Sequence, residues 1–209
     1  MAEHPAGWSY ADLFAAETEA IVRAREAADH FGVQAVSPAV GAQLAIAAAL
    51  HPARSIIEVG TGTGVSGLWL LRGSPEAQLT TIDAEPEHHQ VARTLFAGAG
   101  YPPKQLRVIT GRAADVLPRM NEGAYDLVFV DADPDGVAQH VERALELVRP
   151  GGVVLAARVL QGGKVPNPVK RDRLTVVHRE LLKALRERQG VLAGISPVGD
   201  GLLSVVRQA

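Results

Sequence analysis

From Ser55 onward the chain alternates between two kinds of segment, and few folds accommodate that alternation. Short runs rich in β-branched residues, Ile56–Val59 (IIEV), Leu79–Ile82 (LTTI), Leu106–Ile109 (LRVI), Leu127–Val130 (LVFV) and Gly152–Ala157 (GVVLAA), are separated by amphipathic stretches. Strands apolar on both faces must be covered on both sides, and strands that alternate with helix-length segments build a parallel sheet. The spacing predicts strands near residues 55–59, 78–83, 105–110, 125–130 and 152–157, with helices near 65–73, 86–99, 112–120 and 135–149. Gly151-Gly152, after Arg149-Pro150, reads as the turn into the fifth strand.

The two ends differ from this middle. Residues 1–51 read as two helices, one carrying Leu13, Ala16, Ala20, Ala27 and Phe31 at helical spacing up to Gly32, the other running from Pro38 to His51. After the fifth strand, RVLQGGKVPNPVKRD is a long loop of the kind kept for function, followed by an amphipathic helix near 171–189. Two strands around Gly199-Asp200-Gly201 then form an antiparallel hairpin. A chain of 209 residues without a linker or internal repeat reads as one domain, 1–209, with N-terminal helices over 1–51 and a Rossmann-like core over 52–209.

Composition narrows the partners. With no cysteine, disulfides, thiolate metal sites and thiol nucleophiles are excluded. A net charge of −2 gives no global attraction to nucleic acid or anionic lipid. The start, MAEHPAGWSYADLF, lacks the basic and apolar regions of a leader peptide, and Leu44–Leu50 is too short an apolar run to span a bilayer, so a cytoplasmic protein without a membrane partner is expected. The basic residues around KRDRLTVVHRELLKALRER are broken by Asp172, Glu180 and Glu187 and lack aromatic neighbours, which reads as a solvated helix face rather than a nucleic-acid surface. His88 and His89, about 100° apart on their helix, read as solvated positions and not as a metal-ligand pair.

The strongest functional signal is IIEVGTGTGVSG, Ile56–Gly67, a buried strand, a glycine-dense turn and a helix start. Glycines let backbone N–H groups approach a ligand, and the helix N-terminus behind them favours negative charge. Asp83 ends the second strand, where a carboxylate can take the hydroxyls of a ribose. From Gly62 the turn satisfies the G-x-G-x-x-G of a dinucleotide site, so a nicotinamide-dependent oxidoreductase is one reading. From Glu58 it reads E-x-G-x-G-x-G, which resembles the first motif of S-adenosylmethionine-dependent methyltransferases.

The blocks VSPAVGAQL, IIEVGTGTGVSGLWLL, LTTIDAEPEH, YDLVFVDADP, LVRPGGVVL, VLQGGKV and PVGDGL together resemble the catechol O-methyltransferase-like family, in particular its small bacterial members, over nearly the whole chain. The resemblance implies a seven-stranded, doubly wound, mostly parallel sheet with an antiparallel C-terminal strand, S-adenosylmethionine as methyl donor, a small hydroxylated acceptor and a homodimer. On matching positions it implies cofactor contacts at Val36, Glu58, Gly60, Thr61 and Ser66 for the methionine part, Asp83 and Ala84 for the ribose, and Arg112 and Ala113 for the adenine. Asp131 and Asp133 would lie beside the reacting centre. An ammonium group suits the Glu58 carboxylate, and a carboxylate suits loop N–H groups and the Ser66 hydroxyl.

The chain departs from the family at its metal site. Family members carry Asp-x-x-Lys after the fourth strand and Asp-Asn after the fifth, together holding magnesium and a base. Here Asp131 is present, but Pro134 stands at the lysine and Ala157-Arg158 at the Asp-Asn. A hard cation wants several oxygen ligands, so no magnesium is expected. Neighbouring strands lie about 4.8 Å apart, close enough for Arg158 to pair with Asp131 and lower its pKa. Asp131 and Arg158 are thus the candidate catalytic pair, Asp131 also touching substrate, against the alternative of a plain salt bridge in a chain that binds the cofactor without turning it over.

Overall fold

The structure, a computed structural model, describes residues 6–208; the first five residues of the stretch weighed above against a leader peptide, and Ala209, lie outside the described residues. Three helices come first, α1 (Ala6–Phe14), α2 (Glu19–Phe31) and α3 (Pro38–Leu50). The core follows as β1 (Ser55–Val59), α4 (Val65–Gly73), β2 (Gln78–Asp83), α5 (Pro86–Gly98), β3 (Leu106–Thr110), α6 (Ala113–Val116), β4 (Tyr125–Val130), α7 (Val137–Leu147) and β5 (Val148–Ala156). It closes with α8 (Arg173–Glu187), β6 (Val191–Ser196) and β7 (Leu202–Arg207).

The strands form one sheet in the order β3-β2-β1-β4-β5-β7-β6. β7 runs antiparallel to both of its neighbours and every other pairing is parallel, the doubly wound sheet with a reversed C-terminal strand expected from the sequence. Alternate strand residues feed two cores. Ile56, Leu79, Leu127, Phe129 and Leu155 pack with α2–α5, and Ile57, Val128, Val130, Val154 and Val205 pack with α7 and α8. β4 is buried along its whole length, as its unbroken apolar run requires.

Three readings of local structure need correction. The first N-terminal helix is two: α1 ends at Phe14, and Thr18, extended and accepting the N–H of Ile21, caps a new helix although the apolar spacing runs through the break. The stretch near 112–120 is a single α-turn followed by a 3₁₀ turn at Leu117–Arg119, because Pro118 cannot continue an α-helical hydrogen-bond ladder. Gly151-Gly152 is a bulge inside β5 rather than a turn before it: Tyr125 pairs with Val148 and Leu127 with Val153. Gly151 has φ 81°, and a Cβ on Gly152 would come within 2.9 Å of the Arg149 carbonyl, so the bulge excludes side chains at both positions.

Asp126, at the start of β4, anchors this region. Its Oδ2 accepts the N–H groups of Arg54 (2.7 Å) and Ser55 (2.9 Å), and its Oδ1 accepts Arg149 Nε at 2.5 Å. One carboxylate thereby fixes where β1 begins, where β4 begins and where β5 bulges, and these bonds hold its pKa below the usual carboxylate value despite its burial. Asp126→Ala leaves two backbone donors without a protein acceptor and is expected to destabilise the fold by about 1–3 kcal/mol, measured by urea denaturation. Its depressed pKa means that this stabilisation is complete at neutral pH and is lost as the pH falls through the acid range, so the gap between wild type and variant closes in acid.

Candidate active site

The sheet order reverses between β1 and β4, and above that point the carboxyl ends of the strands enclose a cavity of about 590 Å³. Gly60, Thr61 and Ser66 from the β1–α4 turn, Asp83 and Ala84 after β2, Arg112 and Ala113 after β3, Asp131 and Asp133 after β4, and Val36 ahead of α3 all line it. Residues dispersed over almost a hundred positions are therefore brought to one wall.

Glycine is required where β1 and β4 meet. A Cβ on Gly60, which has φ 96°, would lie 2.1 Å from the Asp131 carbonyl oxygen. Gly62 donates its N–H to Asp83 Oδ2 (2.8 Å), while Asp83 Oδ1 accepts the Glu85 N–H (3.0 Å) and faces His88 Nδ1 at 3.4 Å. Asp83 thus clamps the glycine turn and holds the backbone that leads into α5.

Glu58 lies behind the wall rather than in it. It is fully buried, Oε1 accepting Ser66 Oγ–H and Oε2 accepting Thr81 Oγ–H, both at 2.6 Å. Its carboxylate therefore orients Ser66, which does face the cavity. The chain continues from Thr81 to Thr61 (2.6 Å), to His89 Nε2 (3.2 Å) and from His89 Nδ1 to Thr110 (2.9 Å). When Glu58 is ionised, donor counting gives the chain a direction: Thr81 donates to Glu58, Thr61 donates to Thr81, and His89 then carries its proton on Nε2. Burial lowers the His89 pKa and keeps it neutral. The solvated reading of this residue is overturned, since His89 is 4% exposed and joins α5 to β1 and β3; His88 borders the cavity.

Arg158 reaches from the end of β5 to Asp131 Oδ1 with one terminal nitrogen and to the Gln34 carbonyl with the other. The expected pairing is present, but its effect on Asp131 is not the expected one. Burial raises the Asp131 pKa to about 6, and the opposing pull of Arg158 only partly offsets it. Arg158 itself has φ 57°, a left-handed conformation uncommon for a residue with a side chain. Ala157, beside Asp131 on the adjacent strand, is buried and offers no donor atom. Among the described residues no group of three or more His, Asp or Glu side chains is placed to hold a metal ion.

The structure adds cavity residues that motif reading missed: Val33–Ala35, His88, Gln139 and His140. Gly136, one turn before His140, is the signal that was available for the last of these. A Cβ there would lie 2.5 Å from the His140 ring.

Residues 15–208 match the model of a family described as O-methyltransferase. The chain belongs to the O-methyltransferase family. Among curated relatives, a Mycobacterium tuberculosis protein named "Probable O-methyltransferase" is 43% identical over 201 residues, covering 96% of this chain and 90% of its own length. Among solved structures, TomG from Streptomyces achromogenes, an O-methyltransferase of tomaymycin synthesis in complex with SAM, has a TM-score of 0.86 at 32% identity over 96% of this chain and 95% of its own. An O-methyltransferase from Bacillus cereus in complex with SAH has a TM-score of 0.83 at 27% identity, covering 96% and 97% of the two chains.

The cofactor of this O-methyltransferase is therefore S-adenosylmethionine, and the nicotinamide reading of Gly62–Gly67 is overturned. The cavity suits that cofactor: Asp83, Asp131, Asp133 and Asp135 line it, an acidic wall for a sulfonium cation and a poor one for a pyrophosphate. Burial raises the Glu58 pKa to about 7, with Ser66 and Thr81 opposing the rise. The native state thus binds this proton more tightly than the unfolded chain does, and the Glu58 contribution to stability falls as the pH rises from about 4.5 to about 7, then stays level. Glu58→Gln removes that slope; relative to wild type it should gain on the order of 3 kcal/mol between pH 4.5 and pH 8, measured by urea denaturation across that range. A gap independent of pH would show that the carboxylate titrates normally.

Proposed function

We propose that this enzyme transfers the methyl group of S-adenosylmethionine to a hydroxyl of a small molecule without a divalent metal, using Asp131 and Arg158 as its catalytic pair. The observation that carries this reading is the guanidinium seated on Asp131, where the positions that would complete an oxygen-donor set hold Ala157 and Arg158 itself, and Pro134 stands where a lysine base would be. One carboxylate already engaged by an arginine is a poor ligand for magnesium.

When bound, the cofactor would supply a methyl group on a positively charged sulfur, the acceptor oxygen taking the methyl in line as the sulfur leaves as a neutral thioether. What remains for the protein is to align the acceptor and manage its proton. Asp131, with its pKa lifted to about 6, accepts a proton more readily at neutral pH than an ordinary aspartate. Arg158 has five N–H donors, and its bonds to Asp131 and Gln34 leave others to face a developing oxyanion. Val36, Gly60, Thr61 and Ser66 serve the methionine part, with Glu58 acting through Ser66; Asp83 and Ala84 serve the ribose, and Arg112 and Ala113 the adenine, with Asp133 beside the reacting atoms. A small acceptor is favoured over nucleic acid because Arg179, in the basic segment of α8, is spent on the carbonyls of Val165, Asn167 and Lys170. A cytoplasmic location accords with the fact that no described helix is long and apolar enough to cross a membrane.

The same reading makes the enzyme a homodimer. α3 is apolar all round, yet Ile46 is 57% and Leu50 76% exposed; α1, packed against it, exposes Tyr10, Leu13 and Phe14. A helix without a polar face is ordinarily covered. A second copy on this face is the expected cover, and Ile46→Glu should convert a dimer to a monomer in light scattering while leaving the fold intact. Wild-type enzyme that already runs as a monomer would contradict the dimer.

Activity decides the metal question. Methyl transfer from labelled donor to a panel of small phenols and other hydroxylated molecules is expected to be unchanged by EDTA and by added magnesium. Activity abolished by EDTA and restored by magnesium would overturn metal independence, and SAH binding without turnover on any acceptor would favour an inactive cofactor-binding protein.

A further inference from the structure

His140 occupies an unusual position in the cavity. It projects from the first turn of α7, lines the wall and is 5% exposed, and its Nδ1 is buried with no hydrogen-bond partner. No described side chain or backbone group bonds its Nε2 either. The ring lies over Gly136, where any Cβ would come within 2.5 Å of Cε1 and 3.1 Å of Nδ1, so the backbone is kept bare to seat it. A polar side chain enclosed in a ligand cavity without a protein partner is a site awaiting a partner from the ligand.

The protonation state follows from the surroundings. Burial lowers the His140 pKa, opposed only by the nearby negative charge of Asp133, so the ring is neutral at neutral pH and carries one N–H. An enclosed lone pair without a donor costs less than an enclosed N–H without an acceptor. Nδ1 is the enclosed nitrogen; the proton therefore resides on Nε2, and the ring presents a donor.

The place of His140 selects the part of the cofactor it meets. Asp131 and Arg158 mark the reacting end, above β4 and β5, whereas Asp83 at the end of β2 marks the ribose. The base then extends toward β3 and the Gly111–Ala114 segment that leads into α6. α7 packs against α6, and His140 and the Gly111–Ala114 segment line the same cavity. We propose that His140 is a specificity-determining residue of this enzyme, its Nε2–H donating to a ring nitrogen of the cofactor's adenine.

Isothermal titration of S-adenosylhomocysteine and its 1-deaza, 3-deaza and 7-deaza adenine analogues into wild type, His140→Phe and His140→Gln tests this. One analogue, lacking the accepting nitrogen, should bind wild type about tenfold more weakly than the parent. His140→Phe should lose about tenfold for the parent and bind that analogue and the parent equally, because the donor is gone. His140→Gln, which keeps an N–H at similar reach, should recover part of both the affinity and the discrimination. The comparison between ligands is made within each variant, so a general loss of packing lowers all four affinities together and does not imitate the result. Parent binding unchanged in His140→Phe, or discrimination among the analogues that survives in it, would overturn the proposal. Failure of wild type to bind S-adenosylhomocysteine would overturn the cofactor assignment as well.

Discussion

Arg158 ties together three parts of the cavity that are distant in sequence: the end of β5, from which it comes, the Asp131 carboxylate at the end of β4, and the Gln34 carbonyl in the segment ahead of α3. An arginine suits this task because its planar fork carries several donors at fixed angles and stays charged under any condition the protein meets. The arrangement has a cost, since Asp131 is taken almost wholly out of water, and burial outweighs the arginine in setting its proton affinity. The result is a carboxylate held in place by a cation yet readier to take a proton than a free aspartate. The same guanidinium bonds the Gln34 carbonyl, so the Asp131 carboxylate and the Val33–Val36 part of the cavity wall are coupled through one side chain.

A second buried carboxylate organises the other half of the site. Glu58 does not face the ligand space; it directs Ser66 into that space and anchors a line of hydroxyls that reaches Thr110 through His89. The line crosses β1, β2 and β3 just below their carboxyl ends and holds their turns at fixed separations. Both carboxylates carry raised pKa values because both are enclosed.

Much of this was legible in the residues. Apolar runs such as LVFV demanded a sheet covered on both faces, and the glycine turn after IIEV, with Asp83 following the next strand, located the cofactor end. What escaped depended on partners the chain alone does not reveal. Thr18 looked like one more position in a continuous apolar period, because a cap shows itself only through the N–H it accepts. Gly151-Gly152 has the chemistry of a turn and of a bulge alike, and only Asp126, gripping both Arg149 and the start of β1, selects the bulge. His89 looked like a surface position on an amphipathic helix, and no motif marked His140. The direction of the Asp131 shift was misjudged because a nearby charge can be read from a motif, whereas the depth of burial cannot.

The claim on which the functional account stands is that a guanidinium, and not a metal ion, occupies the ground beside Asp131. Crystals of the enzyme grown with S-adenosylhomocysteine and manganese, measured at a wavelength where manganese scatters anomalously, test it most directly. The account predicts Arg158 seated on Asp131 and no anomalous peak in the cavity; a manganese peak bonded to Asp131, with Arg158 swung away, would contradict it.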